Sequence, residues 1–289
     1  MDQRIIDLYD EFTHGTMSRR RFFDRLAALA GSTAAASALL PLLQNNYALA
    51  QMIAETDARI TAATVAIPGV DKLTGYLVRP KAAGRHPAVI VIHENRGLNP
   101  HIKDVTRRLG TEGFLALGVD CLSPLGGTPS DEDKARSMIS ELKPGDAIAS
   151  LRAALAMLKS HPESNSKVGA VGFCWGGAFT NWLAATDPTL DAAVPYYGRQ
   201  PTADVVPNIR APLMLHYAEN DPGVNAGIAA YEAALKAAGK SYELHMYPGA
   251  QHAFNNDTGP ARYNKEAADL AWSRTLAFFR KHLGETVRS

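Results

Sequence analysis

From Arg59 onward the chain alternates short, continuous apolar runs with amphipathic stretches, and no other feature restricts its fold so strongly. The runs Ala88–Ile92, Phe114–Gly118, Val168–Phe173, Ala192–Tyr197 and Leu213–Tyr217 suit parallel strands covered on both faces. Tyr242–Tyr247 adds a strand of more mixed polarity, and Ile60–Ala66 with Leu73–Val78 flank Pro68-Gly69-Val70-Asp71 as an antiparallel hairpin. Between the runs, Asp146–Lys159 sets Ile148, Leu151, Leu155 and Leu158 on one side of a helix, and Ala226–Ala238 and Ala267–His282 carry similar stripes. The pattern predicts one α/β domain over residues 55–289, a mostly parallel sheet with helices on both faces. Ser123–Asp133, rich in Gly and Pro, reads as a surface loop of the length that caps active sites.

Charge narrows the function. Lys+Arg number 30 against Asp+Glu 29, so the field that would gather nucleic acid is missing. Cys121 and Cys174 are the only cysteines, too few for a disulfide scaffold and without zinc-ribbon spacing. No H-E-x-x-H, phosphate-loop or G-x-G-x-x-G pattern supports metal hydrolysis, nucleotide use or nicotinamide chemistry, so neither metal nor cofactor is expected.

Residues 1–54 differ from the body. Ser18-Arg19-Arg20-Arg21-Phe22-Phe23 precedes an uncharged stretch from Leu26 through Ala54, diluted by Gly31, Ser32, Ser37 and Pro41. That stretch is too weakly apolar for a permanent membrane span. Paired arginines, mild apolarity and Ala48-Leu49-Ala50 fit a twin-arginine export signal, with cleavage leaving Gln51 first and the protein in the periplasm. The competing reading is a retained helical arm in a cytoplasmic protein. Ile5, Tyr9 and Phe12 recur at helical spacing ahead of Gly15, and such an arm would dock on the body or on a neighbouring subunit, building a homo-oligomer.

Gly172-Phe173-Cys174-Trp175-Gly176-Gly177 follows an apolar strand and precedes a helix, the G-x-Nuc-x-G form of a nucleophile elbow with cysteine as nucleophile. A helix N-terminus there favours thiolate over thiol. Cys121 has no such setting and reads as structural. An elbow requires an acid and then a histidine after later strands. Asp221 follows Leu213–Tyr217, with Glu219 as its nearest competitor, and His252 follows Tyr242–Tyr247. A carboxylate would fix the imidazole tautomer and stabilise its protonated form.

With Gly-Phe-Cys-Trp-Gly-Gly, the Asp221 loop, Gln251-His252-Ala253-Phe254 and His93-Glu94-Asn95-Arg96-Gly97-Leu98-Asn99, residues 60–285 resemble the dienelactone hydrolases. The resemblance implies an α/β-hydrolase fold and a Cys174-His252-Asp221 triad acting on cyclic enol esters. It also implies a Glu94 that helps to ionise the cysteine, and an oxyanion hole from the N–H groups of Asn95 and Trp175. Glu94 could instead pair with Arg96 at a strand end. Tyr197 matches a family position that lines the pocket or merely packs. Where that family carries an arginine for the substrate carboxylate, four residues past the histidine, this chain has Asn256, leaving Arg96, Arg136 or Arg199 to supply the charge. The expected activity is hydrolysis of a small-molecule ester or lactone. A noncatalytic or redox-sensing member of the fold, assembling through its arm, is the other class.

Overall fold

A computed structural model describes residues 1–15, 17–49 and 51–286. The body opens with the hairpin β1 (Ile60–Ala66) and β2 (Thr74–Pro80), then β3 (His86–Ile92), and after these β4 (Leu115–Asp120), β5 (Ser164–Phe173), β6 (Ala192–Tyr196), β7 (Leu213–Asn220) and β8 (Tyr242–Gln251). They form one eight-stranded sheet in the order β1-β2-β4-β3-β5-β6-β7-β8. The β1–β2 and β2–β4 pairs are antiparallel and the remaining five parallel. All seven residues of central β3 are buried, as a strand covered on both faces requires. Edge strand β1 is mostly exposed and carries the mixed sequence its position permits.

Helices preceding and within the body are α1 (Gln3–His14), α2 (Arg19–Ala30), α3 (Thr33–Leu43), α4 (Pro100–Thr111), α5 (Glu132–Glu141), α6 (Pro144–Ser160), α7 (Trp175–Thr186), α8 (Pro222–Asn225), α9 (Ile228–Ala237) and α10 (Lys265–Leu283). One sheet face packs Leu151, Leu155 and Leu158 of α6 and Leu183 of α7 against Ile90 and Leu117. The other packs Ile102 and Leu109 of α4 and Leu276 and Phe279 of α10 against Val89, Val91 and Val171. Burying aliphatic and aromatic side chains of this size contributes about 1.5–3 kcal/mol each, so the two apolar layers fix which ends of the strands share an edge.

The N-terminal helices form a third apolar cluster of their own. Tyr9 and Phe12 of α1 meet Phe22 and Leu26 of α2 and Leu43 of α3, with the Phe12 and Phe22 rings stacked at 4.5 Å. Ser18 caps α2 and Gly31 ends it at φ 84°. Among the described residues no single helix is long and apolar enough to cross a membrane, and α2 and α3 bend by 112° relative to one another. Ala50, at the supposed cleavage site, lies outside the described residues.

Candidate active site

Cys174 sits between β5 and α7 with φ 55° and ψ −112°, a backbone state that a non-glycine residue holds only when its surroundings enforce it. Two glycines do so. A Cβ on Gly172 would come within 2.1 Å of the Gly176 carbonyl oxygen, and one on Gly176 within 2.3 Å of the Ile92 carbonyl oxygen. The Cys174 N–H donates to the Tyr196 carbonyl at 3.0 Å, which pins the turn to β6. Gly176→Ala has only backbone to push against, so we expect it to destabilise the fold by about 3 kcal/mol or more, read as a lower urea midpoint at unchanged slope.

The loops after β7 and β8 bring Asp221 and His252 to the same edge. His252 Nδ1 lies 2.5 Å from Asp221 Oδ2, with both residues buried. A carboxylate only accepts, so Nδ1 carries a proton and Nε2 is the nitrogen left for Cys174, whose Sγ lies within 4.8 Å of the ligating nitrogen of the His252 ring. Burial alone would lower the His252 pKa, but the negative charges of the Cys174 sulfur and Asp221 outweigh it and hold it well above 6.5. A raised folded pKa contributes stability that is complete below about 6.5 and is lost as pH climbs through the raised value. Cys174→Ala removes the sulfur's charge, so the His252 pKa should fall. An NMR titration of its ring protons would show this, and an unchanged midpoint would refute the pairing.

Around this core, Glu94 is buried and accepts from Asn256 Nδ2 at 2.9 Å. It does not pair with Arg96, whose Nε instead contacts Glu132 Oε2 at 3.1 Å. Asn256 also accepts from Thr258, through both N–H and Oγ1, so its amide bridges the His252 loop to Glu94. Trp175 opens α7, where N–H groups have no partner within the helix. The Asn95 side chain donates to the Thr13 carbonyl at 2.7 Å. Tyr197 is fully buried with φ 37°, its ring 5.0 Å from that of His252. Arg136 lies over the Phe12 ring at 4.1 Å, whereas Arg199 is exposed. Cys121 is buried, and burial pushes its thiol up beyond the titration range of ordinary cysteines.

Sequence reasoning missed what covers these groups. Helix α1 lies across them: His14 Nε2 is 3.2 Å from Cys174 Sγ, and the His14 and His252 rings meet edge-on at 4.4 Å. Part of His14 stays exposed, but its ring is desolvated and faces the positive charges of His252, Arg262 and Arg96, which together hold its pKa well below 6.5. Four residues earlier, Asp10 Oδ1 accepts from Arg262 Nη1 at 2.6 Å, and Tyr9 Oη accepts from Arg96 Nη2 at 3.1 Å. Both guanidiniums are buried, at 4% and 6% exposure. Arg262 stands in the same loop as His252, ten residues on, and that shared loop was the available signal. A cavity of about 580 Å³ lies between the arm and α5, lined by Phe12, Phe22, Arg96, Glu132 and Arg136. Cys174, against which His14 packs, is not part of its lining.

The model of the "Dienelactone hydrolase family" matches residues 73–283, and that of a "YqhI-like" family matches residues 1–31. An Escherichia coli (strain K12) protein named "Putative carboxymethylenebutenolidase" is 33% identical over 256 residues, spanning 82% of this chain and 93% of its own. A Bradyrhizobium protein named "Probable 2-oxo-3-(5-oxofuran-2-ylidene)propanoate lactonase" is 34% identical over 222 residues, 72% of this chain and 89% of its own. The crystal structure titled "Putative Dienelactone Hydrolase" from Klebsiella pneumoniae superposes with a TM-score of 0.71 at 32% identity, covering 77% of this chain and 99% of that one. With the sheet order, the elbow and the family match all resting on the same residues, the chain belongs to the dienelactone hydrolase family and has its α/β-hydrolase fold.

Proposed function

We propose that the protein hydrolyses an ester or lactone bond of a small molecule, with Cys174 as nucleophile, His252 as proton shuttle and Asp221 as the group that orients and stabilises the imidazolium. The observation that carries this reading is the meeting of Asp221, His252 and Cys174 at one sheet edge. Sulfur attacks the carbonyl carbon, and the N–H groups of Asn95 and Trp175 take up the oxyanion, at about 2.7–4 kcal/mol for such a donor in a well-studied hydrolase. His252 then gives its proton to the leaving alcohol, and water deprotonated by the same imidazole clears the thioester. In this reading Glu94, which accepts from Asn256, takes the role of the family glutamate that helps to ionise the cysteine.

The arm bears on where and when this happens. Helix α1 buries Leu8, Tyr9 and Phe12 and contacts Cys174 and Arg262, which supports a retained arm over a removed signal. Cleavage after Ala50 would strip those contacts from the site. Intact-mass measurement of protein purified from its own cell would return Met1 or Asp2 at the N-terminus under this reading and Gln51 under the export reading. With the arm seated, substrate reaches the sulfur only when α1 moves. The same cover is what a noncatalytic member would show, so turnover is the discriminating test. Rapid quenching of the protein with a chromogenic short-chain ester should give an acyl adduct on the Cys174 peptide during a burst. No adduct and no turnover across an ester and lactone panel would favour the noncatalytic class.

A further inference from the structure

We propose that His14, Cys174 and His252 form a binding site for a borderline-soft divalent metal ion, Zn²⁺ being the type, and that the ion locks the arm onto the nucleophile. One ligand atom from each residue lies within 4.8 Å of the other two. Zn–S and Zn–N bonds of about 2.3 and 2.0–2.1 Å place tetrahedral donors roughly 3.5 Å apart, so the trio is at most about 1.3 Å from a ligating spacing. The closest pair, His14 Nε2 and Cys174 Sγ, is already 3.2 Å apart.

Each imidazole is prepared in the manner of a metal ligand. His252 gives Nδ1 to the Asp221 carboxylate and His14 gives Nδ1 to the Asp10 carbonyl at 3.0 Å. The neutral His14 ring thereby turns its Nε2 lone pair to the sulfur, and His252 offers Nε2 in the same way once the proton that its raised pKa keeps there is displaced. A carboxylate or carbonyl holding the far nitrogen is the usual outer support of histidine–zinc bonds. His252 Nε2 is also a buried polar atom without a hydrogen-bond partner, in a residue only 5% exposed. A cation that displaces the proton of the Cys174–His252 pair would satisfy this nitrogen, the sulfur and the second imidazole at once. Two nitrogens and one thiolate match Zn²⁺ rather than Mg²⁺ or Ca²⁺, which take oxygen ligands. The exposed edge of His14 gives the ion a way in.

On binding, two metal–nitrogen bonds and one metal–sulfur bond form, and the single proton that the Cys174–His252 pair holds leaves to solvent. No electron moves. The sulfur is then a ligand and no longer a nucleophile, and α1 is bonded to the body through His14. The site joins parts of the chain 160 residues apart, so the ion stabilises the covered state by the free energy of its binding.

The test uses the full-length, reduced, metal-stripped protein and Co²⁺ as a spectroscopic substitute for Zn²⁺. One equivalent of Co²⁺ should produce a thiolate-to-cobalt charge-transfer band that Zn²⁺ abolishes, and Zn²⁺ should protect Cys174 from iodoacetamide. His14→Ala should weaken Co²⁺ binding about 100-fold or more, since even the loss of an outer support costs 10–100-fold. His14→Cys should restore binding with a stronger band, which separates loss of a ligand from loss of the arm's fold. Absence of the band, or equal affinity in wild type and His14→Ala, would overturn the site. The inference shares side chains with the hydrolytic reading without depending on it. A missing cobalt band with normal turnover refutes the ion alone, and full turnover in Cys174→Ala refutes the nucleophile alone.

Discussion

Cys174→Ala should lower kcat for a chromogenic ester by roughly 10⁴-fold or more, since removing a nucleophile from a comparable triad costs on the order of 10⁶. The fold should survive the change. The backbone state of Cys174 is imposed by Gly172, Gly176 and the bond to Tyr196, none of which involves the sulfur, and alanine leaves a smaller side chain in an 8% exposed position. The variant should therefore bind substrate with near-normal affinity, and steady-state rates beside calorimetric binding would separate the two effects. A variant that turned over at the wild-type rate would place the nucleophile elsewhere.

The second large effect concerns the arm. Asp10→Arg sets a cation against the buried Arg262 and the nearby Arg96, so the seated position of α1 loses its ion pair and gains like-charge repulsion. A site open in only 1% of molecules has its apparent affinity reduced 100-fold, and each 1.4 kcal/mol taken from the closed state returns a factor of ten. Breaking a fully buried pair costs about 3–5 kcal/mol, and even the smaller cost expected for this partly buried one, with Asp10 22% exposed, is enough to weaken such a bias. We expect the rate of Cys174 alkylation and kcat/KM to rise at least tenfold. Removing residues 1–15 should do the same, although it also uncovers Phe22 and Leu26, which makes the point substitution the cleaner measurement. Equal alkylation rates in wild type and Asp10→Arg would show that α1 does not limit access.

How much of this was legible in the sequence depended on whether the controlling contact was local. Strands β3, β5 and β7 were readable because central parallel strands are buried on both faces and need unbroken apolar runs. The elbow was readable because close backbone approach leaves its mark as glycine at fixed spacing. Helix α4 was not recognised, since it buries His101, Asp104, Thr106 and Arg107 beside its apolar residues and so breaks the stripe that marks a covered helix. Asp104 is fully buried only because Arg107, Arg108 and the Ile53 N–H all reach it, and one of these partners comes from outside the helix. In the same way, Ile5, Tyr9 and Phe12 announced a packed α1, but nothing near them in the chain indicated that its last residue would face Cys174. The position of Asn256 was read as a missing charge. Its amide proves to be a link between Glu94 and the His252 loop, while Arg262 brings a guanidinium from farther along that loop.

The turn that presents Cys174 owes its shape to main-chain crowding and to hydrogens where Cβ atoms would otherwise stand, so its geometry is indifferent to the atom it displays. Oxygen in place of sulfur would be offered at the same spot, by the same scaffold, to the same imidazole. Exchange of one reactive side chain for another is thus a change of reagent on an unaltered bench, and Cys174→Ser measures chemistry with little contribution from folding.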